Sequence, residues 1–318
     1  MQVYTTKTEL SAFINREHNP IFSLGFVPTM GALHAGHLSL VKTAMSENTL
    51  VVVSIFVNPT QFDNPQDLSK YPRTLTQDIK LLETLSKTAI VVYAPTVDDV
   101  YGVQTTAERF DFRGLEFQME GKFRTGHFDG VGTIVKRLFE IVKPTLAYFG
   151  EKDFQQLQII KKMVETSQLP VTIVGCPIER EPNGLAMSSR NSRLSVEEKE
   201  TAALIYKTLQ TVKEKFQLEL PKDISHWVST QFSNHPLFEL EYFQISESEN
   251  LNFETSYENE IYHNMIGIFE QLKKKKIKLK IFEDNRAELE DTRSEFEISL
   301  GIAKEAVSPK TKLEIVLS

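Results

Sequence analysis

The residues of this sequence with most chemistry to offer are two histidines, three positions apart, in Pro28-Thr29-Met30-Gly31-Ala32-Leu33-His34-Ala35-Gly36-His37. The stretch follows an apolar run and opens an amphipathic one, so it reads as a strand-to-helix turn. Gly31 and Gly36 permit unusual dihedrals and close backbone approach to a ligand. Free N–H groups at the helix start suit an anion. Two imidazoles on one side of that turn offer donors to phosphate oxygens without the desolvation cost of a lysine, and suit the charge that develops when a phosphorus is attacked. A metal pair or two capping histidines are the alternatives, although His-x-x-His without a third ligand nearby makes a weak metal site.

Other polar groups recur at strand ends. Ile55-Phe56-Val57-Asn58-Pro59-Thr60-Gln61-Phe62 supplies two amides, Asn58 and Gln61, suited to the hydroxyls and carboxylate of a small polar substrate. A plain strand-ending Asx-Pro turn explains the same residues. Tyr71-Pro72-Arg73-Thr74 with Asp78 opens a further helix; Asp78 is either a magnesium ligand or an ordinary acidic residue in a first turn. In Glu120-Gly121-Lys122-Phe123-Arg124-Thr125-Gly126-His127-Phe128-Asp129-Gly130-Val131, glycines surround a helix start, and the stretch can equally be a flexible loop. Phe149-Gly150-Glu151-Lys152-Asp153-Phe154-Gln155-Gln156 forms another strand-to-helix turn. There Lys152 suits phosphates, Asp153 suits ribose hydroxyls and Gln156 suits a second substrate, unless the charged pair is merely solvated. Met187-Ser188-Ser189-Arg190-Asn191 combines two hydroxyls with a guanidinium, a set that matches phosphate oxygens.

The elements that must position these groups alternate. Strands are expected at residues 21–27, 50–57, 89–94, 146–149 and 171–175, and helices at 38–46, 75–85, 131–141 and 154–165. The run at 50–57 is apolar throughout, as in a strand buried on both faces. Such alternation implies βαβ units and an α/β, doubly wound parallel sheet, whose ligands sit outside the carboxyl ends of the strands. The pattern breaks at Pro182-Asn183-Gly184, which divides a Rossmann-like domain, 1–184, from a smaller α+β C-terminal domain, 185–318. Ser195 with Glu198 predicts a capping box for a helix to about residue 216, and residues 239–245 suggest one more strand.

Composition limits the classes open to the chain. Its 318 residues carry a net charge of -7, which argues against a nucleic-acid binder while leaving room for a local cationic pocket. One cysteine, Cys176, cannot form an intramolecular disulfide and fits a reducing compartment. No stretch approaches the roughly 20 apolar residues needed to cross a bilayer, and the first residues lack a signal-peptide core, so a cytoplasmic protein is expected.

His-x-Gly-His after a strand resembles the signature of the nucleotidyltransferase superfamily, and the Met187–Ser188–Ser189–Arg190 loop resembles that superfamily's mobile Lys-Met-Ser-Lys-Ser loop. With the segments around Gln61, Arg124 and Lys152 in the same order, residues 20–215 resemble the pantothenate synthetase family. The resemblance implies that ATP and pantoate form pantoyl adenylate and pyrophosphate, and that β-alanine then gives pantothenate and AMP. It implies ATP contacts from Met30, Gly31, Ala32, Leu33, His34, Ala35, Gly36 and His37, and from Gly150, Glu151, Lys152, Asp153, Glu179, Met187, Ser188, Ser189 and Arg190. His37, His34 and Lys152 would be catalytic, and Gln61, Gln156 and Asn58 would bind pantoate or β-alanine. Glu120 and Arg124 would belong to a loop closing the pantoate side. Magnesium with the ATP and a homodimer are further implications. Beyond about residue 250 the likeness fades: Ser246 stands where an aspartate is expected, and Lys273-Lys274-Lys275-Lys276 begins a run read as a solvated face, followed by an acidic segment. Another nucleotidyltransferase, or an inactive nucleotide-binding protein, are the competing readings. Release of AMP with pantothenate separates them.

Overall fold

The continuous apolar run Leu50-Val51-Val52-Val53 is the centre of a parallel sheet, shielded from water on both faces. The computed structural model describes residues 1–251 apart from 18–21, 63–64, 217, 234, 247 and 249, together with three short strands farther on. In chain order the sheet is built from β1 (Gln2–Tyr4), β2 (Leu24–Thr29), β3 (Leu50–Ile55), β4 (Ile90–Tyr93), β5 (Leu146–Gly150) and β6 (Thr172–Cys176). Their spatial order is β1-β4-β3-β2-β5-β6, and every pairing is parallel. The chain therefore runs outward from β2 through β3 to β4, then returns to the other side of β2 as β5. That reversal between β2 and β5 is a topological switch point, where an open α/β sheet leaves a crevice.

Helices connect the strands: α1 (Lys7–Glu17), α2 (Ala35–Glu47), α3 (Pro65–Lys70), α4 (Leu75–Glu83), α5 (Val97–Tyr101), α6 (His127–Val142) and α7 (Phe154–Thr166). A core cluster joins Val41 and Ala44 of α2 to Val27, Val51, Val53 and Val92 of the sheet and to Leu82 of α4. Phe26 of β2 meets Phe139 of α6 edge-on at 6.1 Å.

The expected α/β parallel sheet is thus the observed one, with boundary differences that have causes. β2 starts later than expected and runs through Pro28. β5 pairs with β2 only at Gly25 and Phe26, so the missing N–H of Pro28 removes no bond from that side. α6 starts at His127, one turn earlier than expected, and its glycines are not a loop. A Cβ on Gly130 would collide with the Thr60 carbonyl oxygen, so the helix packs where only glycine fits.

The chain divides into two compact units, Met1–Lys207 and Thr208–Ser318. This moves the boundary from the expected position near 184. The Met187–Asn191 segment belongs to the first unit, where the Ser189 hydroxyl donates to the Ala32 carbonyl at 3.0 Å. Helix α8 (Val196–Lys215) opens with the expected capping box: Glu198 N–H donates to the Ser195 hydroxyl at 3.2 Å, and Ser195 N–H to the Glu198 carboxylate at 2.7 Å. In the second unit α9 (Pro221–Phe232) buries Ile224, Val228 and Phe232. There β7 (Gln244–Ser246) pairs antiparallel with β10 (Lys312–Glu314), and β8 (Leu279–Ile281) with β9 (Ala287–Leu289). The strand expected at 239–245 is shorter and shifted. Most of the lysine run and of the acidic segment lies outside the described residues. Among the described residues no helix is long and apolar enough to cross a membrane.

Candidate active site

At the carboxyl ends of β2, β3, β5 and β6 lies a cavity of about 300 Å³. That is within the range of small-ligand sites, and its place is the one the switch point dictates.

The histidine turn forms one wall. After β2, Gly31 and Ala32 both take positive φ, 82° and 51°. For alanine such a conformation costs on the order of 1–3 kcal/mol and persists only where its surroundings enforce it. Asp78 of α4 enforces it here: its carboxylate accepts the N–H of Ala32 at 3.1 Å and of Leu33 at 2.8 Å, and the Thr74 hydroxyl at 3.2 Å. Ser189 holds the Ala32 carbonyl from the other side. Asp78 is 2% exposed and faces this backbone. The expectation of a magnesium ligand at Asp78 is therefore corrected: its oxygens are committed to the turn.

The two rings lie 4.0 Å apart. His34 Nδ1 accepts the Gly36 N–H at 3.1 Å, and His37 Nδ1 accepts the His34 N–H at 3.3 Å. An imidazole whose Nδ1 accepts carries its proton on Nε2. The capping reading is the one observed, and it leaves Nε2–H as a donor on each ring. Burial, the neighbouring His34 and the Lys152 cation push the His37 pKa down to about 3. Burial and Lys152 lower that of His34. Both are neutral donors at physiological pH. Among the described residues no group of three His, Cys, Asp or Glu side chains is placed to hold a metal ion.

The opposite wall comes from the turn after β3. Asn58 is 1% exposed and its amide is fully occupied. Its Nδ2 donates to Gln61 Oε1 at 3.1 Å and to the Gly130 carbonyl at 3.2 Å, while its Oδ1 accepts from the Tyr101 hydroxyl at 2.6 Å. Asn58 borders the cavity but has no hydrogen bond left for a substrate, so the expectation that it binds one is corrected to a supporting role. Gln61 and Gln156 both line the cavity. The Gln61 backbone carbonyl accepts from His127 Nδ1 at 2.8 Å and from the Arg124 guanidinium at 3.3 Å, and Arg124 pairs with Glu120.

The remaining predicted groups divide. Met30, His34, Gly36, His37, Gly150, Lys152, Asp153, Glu179, Met187, Ser188, Ser189 and Arg190 line the cavity. Gly31, Ala32, Leu33, Ala35 and Glu151 do not, because they build the turns behind it. Lys152 pairs with Asp153 at 2.8 Å. The Glu179 carbonyl accepts the Met187 N–H at 3.0 Å, tying the serine–arginine loop to the end of β6.

Sequence reasoning missed four supporting residues. Tyr101, His127 and Gln155, whose amide donates to the Leu115 and Gln118 carbonyls at 2.8 and 2.7 Å, act on partners remote in sequence, and Thr74 acts on the Asp78 carboxylate four residues on. No motif signals such contacts.

Comparison with known proteins places this cavity in context. The pantoate-beta-alanine ligase family model matches residues 2–279. A pantothenate synthetase of Flavobacterium psychrophilum is 50% identical over 270 residues, covering 85% of this chain and 95% of the relative. One from Christiangramia forsetii is 54% identical over 251 residues, 79% of this chain and 88% of the relative. Among solved structures, pantothenate synthetase from Thermus thermophilus is similar with a TM-score of 0.73 at 39% identity, over 80% of this chain and 90% of that one. A pantoate-beta-alanine ligase from Francisella tularensis, complexed with beta-gamma ATP and beta-alanine, gives a TM-score of 0.66 at 38% identity, over 77% and 89% of the two chains.

Proposed function

The chain belongs to the pantoate-beta-alanine ligase family, and from that premise we propose that its cavity performs the ATP-dependent condensation of pantoate with β-alanine in two steps. The observation that carries this reading is the division of the cavity wall: neutral imidazoles, Lys152 and Arg190 among its lining, and the amides of Gln61 and Gln156 in the same lining. In the first step a pantoate carboxylate oxygen attacks the α-phosphorus of ATP. A new O–P bond forms, the bond to the bridging oxygen breaks, and pyrophosphate leaves. In the second step the β-alanine amine attacks the acyl carbon of pantoyl adenylate. The C–N bond forms, the nitrogen gives up a proton to solvent, and AMP departs with the former carboxylate oxygen.

Each residue has a role in that scheme. His34 and His37 offer Nε2–H donors to the phosphates, worth a factor of about 10²–10³ in rate for one well-placed donor. Lys152, Ser188, Ser189 and Arg190 hold phosphate oxygens. The Lys152–Asp153 pair is exposed, worth only about 0.2–1 kcal/mol, so it yields readily to a phosphate and leaves Asp153 for the ribose. Met30 packs on the nucleotide, and the Glu179 backbone meets the adenine. Gln61 and Gln156 hold pantoate in line with the α-phosphorus, an alignment worth up to roughly 7–11 kcal/mol. Magnesium enters with the ATP phosphates, since Asp78 is committed to backbone. We further propose a cytoplasmic homodimer.

The test is an assay with ATP, pantoate, β-alanine and magnesium, following AMP and pantothenate together. Stoichiometric formation of both is expected. Absence of AMP above background at saturating substrate rejects the reading.

A further inference from the structure

The two ends of a glutamine amide have almost the same shape and opposite polarity, so which end meets a substrate depends on what holds the other. The fixed point near Gln61 is the backbone carbonyl of Gly130, which can only accept. The Asn58 atom 3.2 Å from it must therefore be Nδ2. This turns Asn58 Oδ1 the other way, where it accepts from the Tyr101 hydroxyl at 2.6 Å and from the Thr60 hydroxyl at 3.1 Å. The second hydrogen on Nδ2 then reaches Gln61 at 3.1 Å, and the Gln61 atom that receives it must be Oε1. What remains to Gln61 is Nε2, whose neighbour is the Met30 sulfur at 3.2 Å, a weak acceptor that a carboxylate or hydroxyl oxygen outcompetes.

We infer that Asn58, oriented by the Gly130 carbonyl and held by the Tyr101 hydroxyl, forms a polarity relay that fixes Gln61 as a hydrogen-bond donor, making an acceptor oxygen on pantoate a condition of binding. The inference deepens the proposed function and rests on its assignment of pantoate to this wall. Tyr101 and Asn58 are positioning residues, acting through Gln61. They are well placed to act rigidly. Tyr101 is 6% exposed, and the Arg137 guanidinium lies 4.7 Å over its ring. Turning the Gln61 amide over would set its Nε2 against Asn58 Nδ2, donor against donor. Correcting that by turning Asn58 would set Asn58 Oδ1 against the Gly130 carbonyl. A buried polar network of this kind holds one arrangement because each alternative leaves a group unsatisfied. The site accordingly rejects an analogue that presents a donor, such as an amine or amide N–H, where pantoate presents oxygen.

The experiment measures pantoate binding by calorimetry on the full chain, alongside steady-state KM values for pantoate and ATP. Tyr101→Phe removes the hydroxyl without opening a cavity. It is expected to weaken pantoate between about threefold and tenfold, with the ATP KM and the melting temperature nearly unchanged. Gln61→Glu leaves only acceptors and is expected to weaken pantoate at least about a hundredfold, again with ATP spared. A merely structural role would move ATP affinity and melting temperature together with pantoate. Tyr101→Phe with unchanged pantoate affinity, equal losses for both substrates, or Gln61→Glu binding like wild type overturns the relay. Should Tyr101→Phe fail to fold, Asn58→Asp, which offers Gln61 only acceptors and so turns its amide over, decides instead: weakened pantoate with ATP spared supports the relay, and unchanged pantoate affinity overturns it. A wild-type chain that neither binds nor turns over pantoate overturns the substrate assignment, and the relay with it.

Discussion

His37 illustrates how little of a residue's chemistry lies in its type. Its Nδ1 is occupied by the His34 N–H and its pKa is pushed down to about 3, so it presents a neutral donor rather than a positive charge. His37→Ala is expected to lower kcat a hundredfold or more, while His37→Asn, which keeps a neutral N–H, retains appreciably more activity. Equal rates for Asn and Ala variants would count against the donor role. Asp78→Asn tests the other reassignment. The amide cannot accept both backbone N–H groups, so kcat is expected to drop about tenfold while the magnesium concentration for half-activation stays put. A raised magnesium requirement would return Asp78 to the metal. That His34, His37, Gln61, Lys152 and Arg190 gather around one cavity was legible in the sequence, because strand-to-helix turns in a parallel sheet open on the same edge. The task of Asp78 was not, because it depends on backbone groups 45 and 46 residues away that carry no sequence signal, and the tautomers were not, because they depend on which way two N–H groups within the turn point.

Elements tell a similar story one level up. Strands and helices of the sheet were readable from apolar runs and periodicity, and the α8 cap from Ser195 and Glu198. The close approach of α6 to the turn after β3 was not, since glycines at a helix start resemble a loop until the neighbouring backbone is known. Gly130→Ala is expected to cost on the order of 1–3 kcal/mol of stability and to weaken pantoate, because the methyl displaces Thr60 and Gln61. Denaturant midpoints and pantoate KM together check this; a change in neither would mean the contact is slack. Ser195→Ala serves as its contrast. Loss of the cap is expected to cost about 1 kcal/mol and leave kcat untouched.

For the whole molecule, the depressed histidine makes stability depend on acidity in a definite direction. An unfolded chain binds a proton at His37 near the ordinary value of about 6.5, whereas the folded chain refuses it until about pH 3. Stability is therefore complete above about 6.5 and declines as pH falls between those limits. Urea midpoints at pH 7.5 and 5.0 should fall for wild type and fall less for His37→Gln; parallel declines would exclude His37 as the cause. The domain boundary was the least legible large feature, because a Pro-Asn-Gly break looks alike whether it separates units or merely turns within one. The Ala32 peptide links this scale back to the first. Its N–H waits for a carboxylate 46 positions later and its C=O for a hydroxyl 157 positions later. A ribosome has made the histidines long before it makes either support. The histidine turn is consequently finished only when the chain through Ser189 has been synthesised and has settled on it, so a growing or truncated chain carries the histidines without the backbone geometry that holds them.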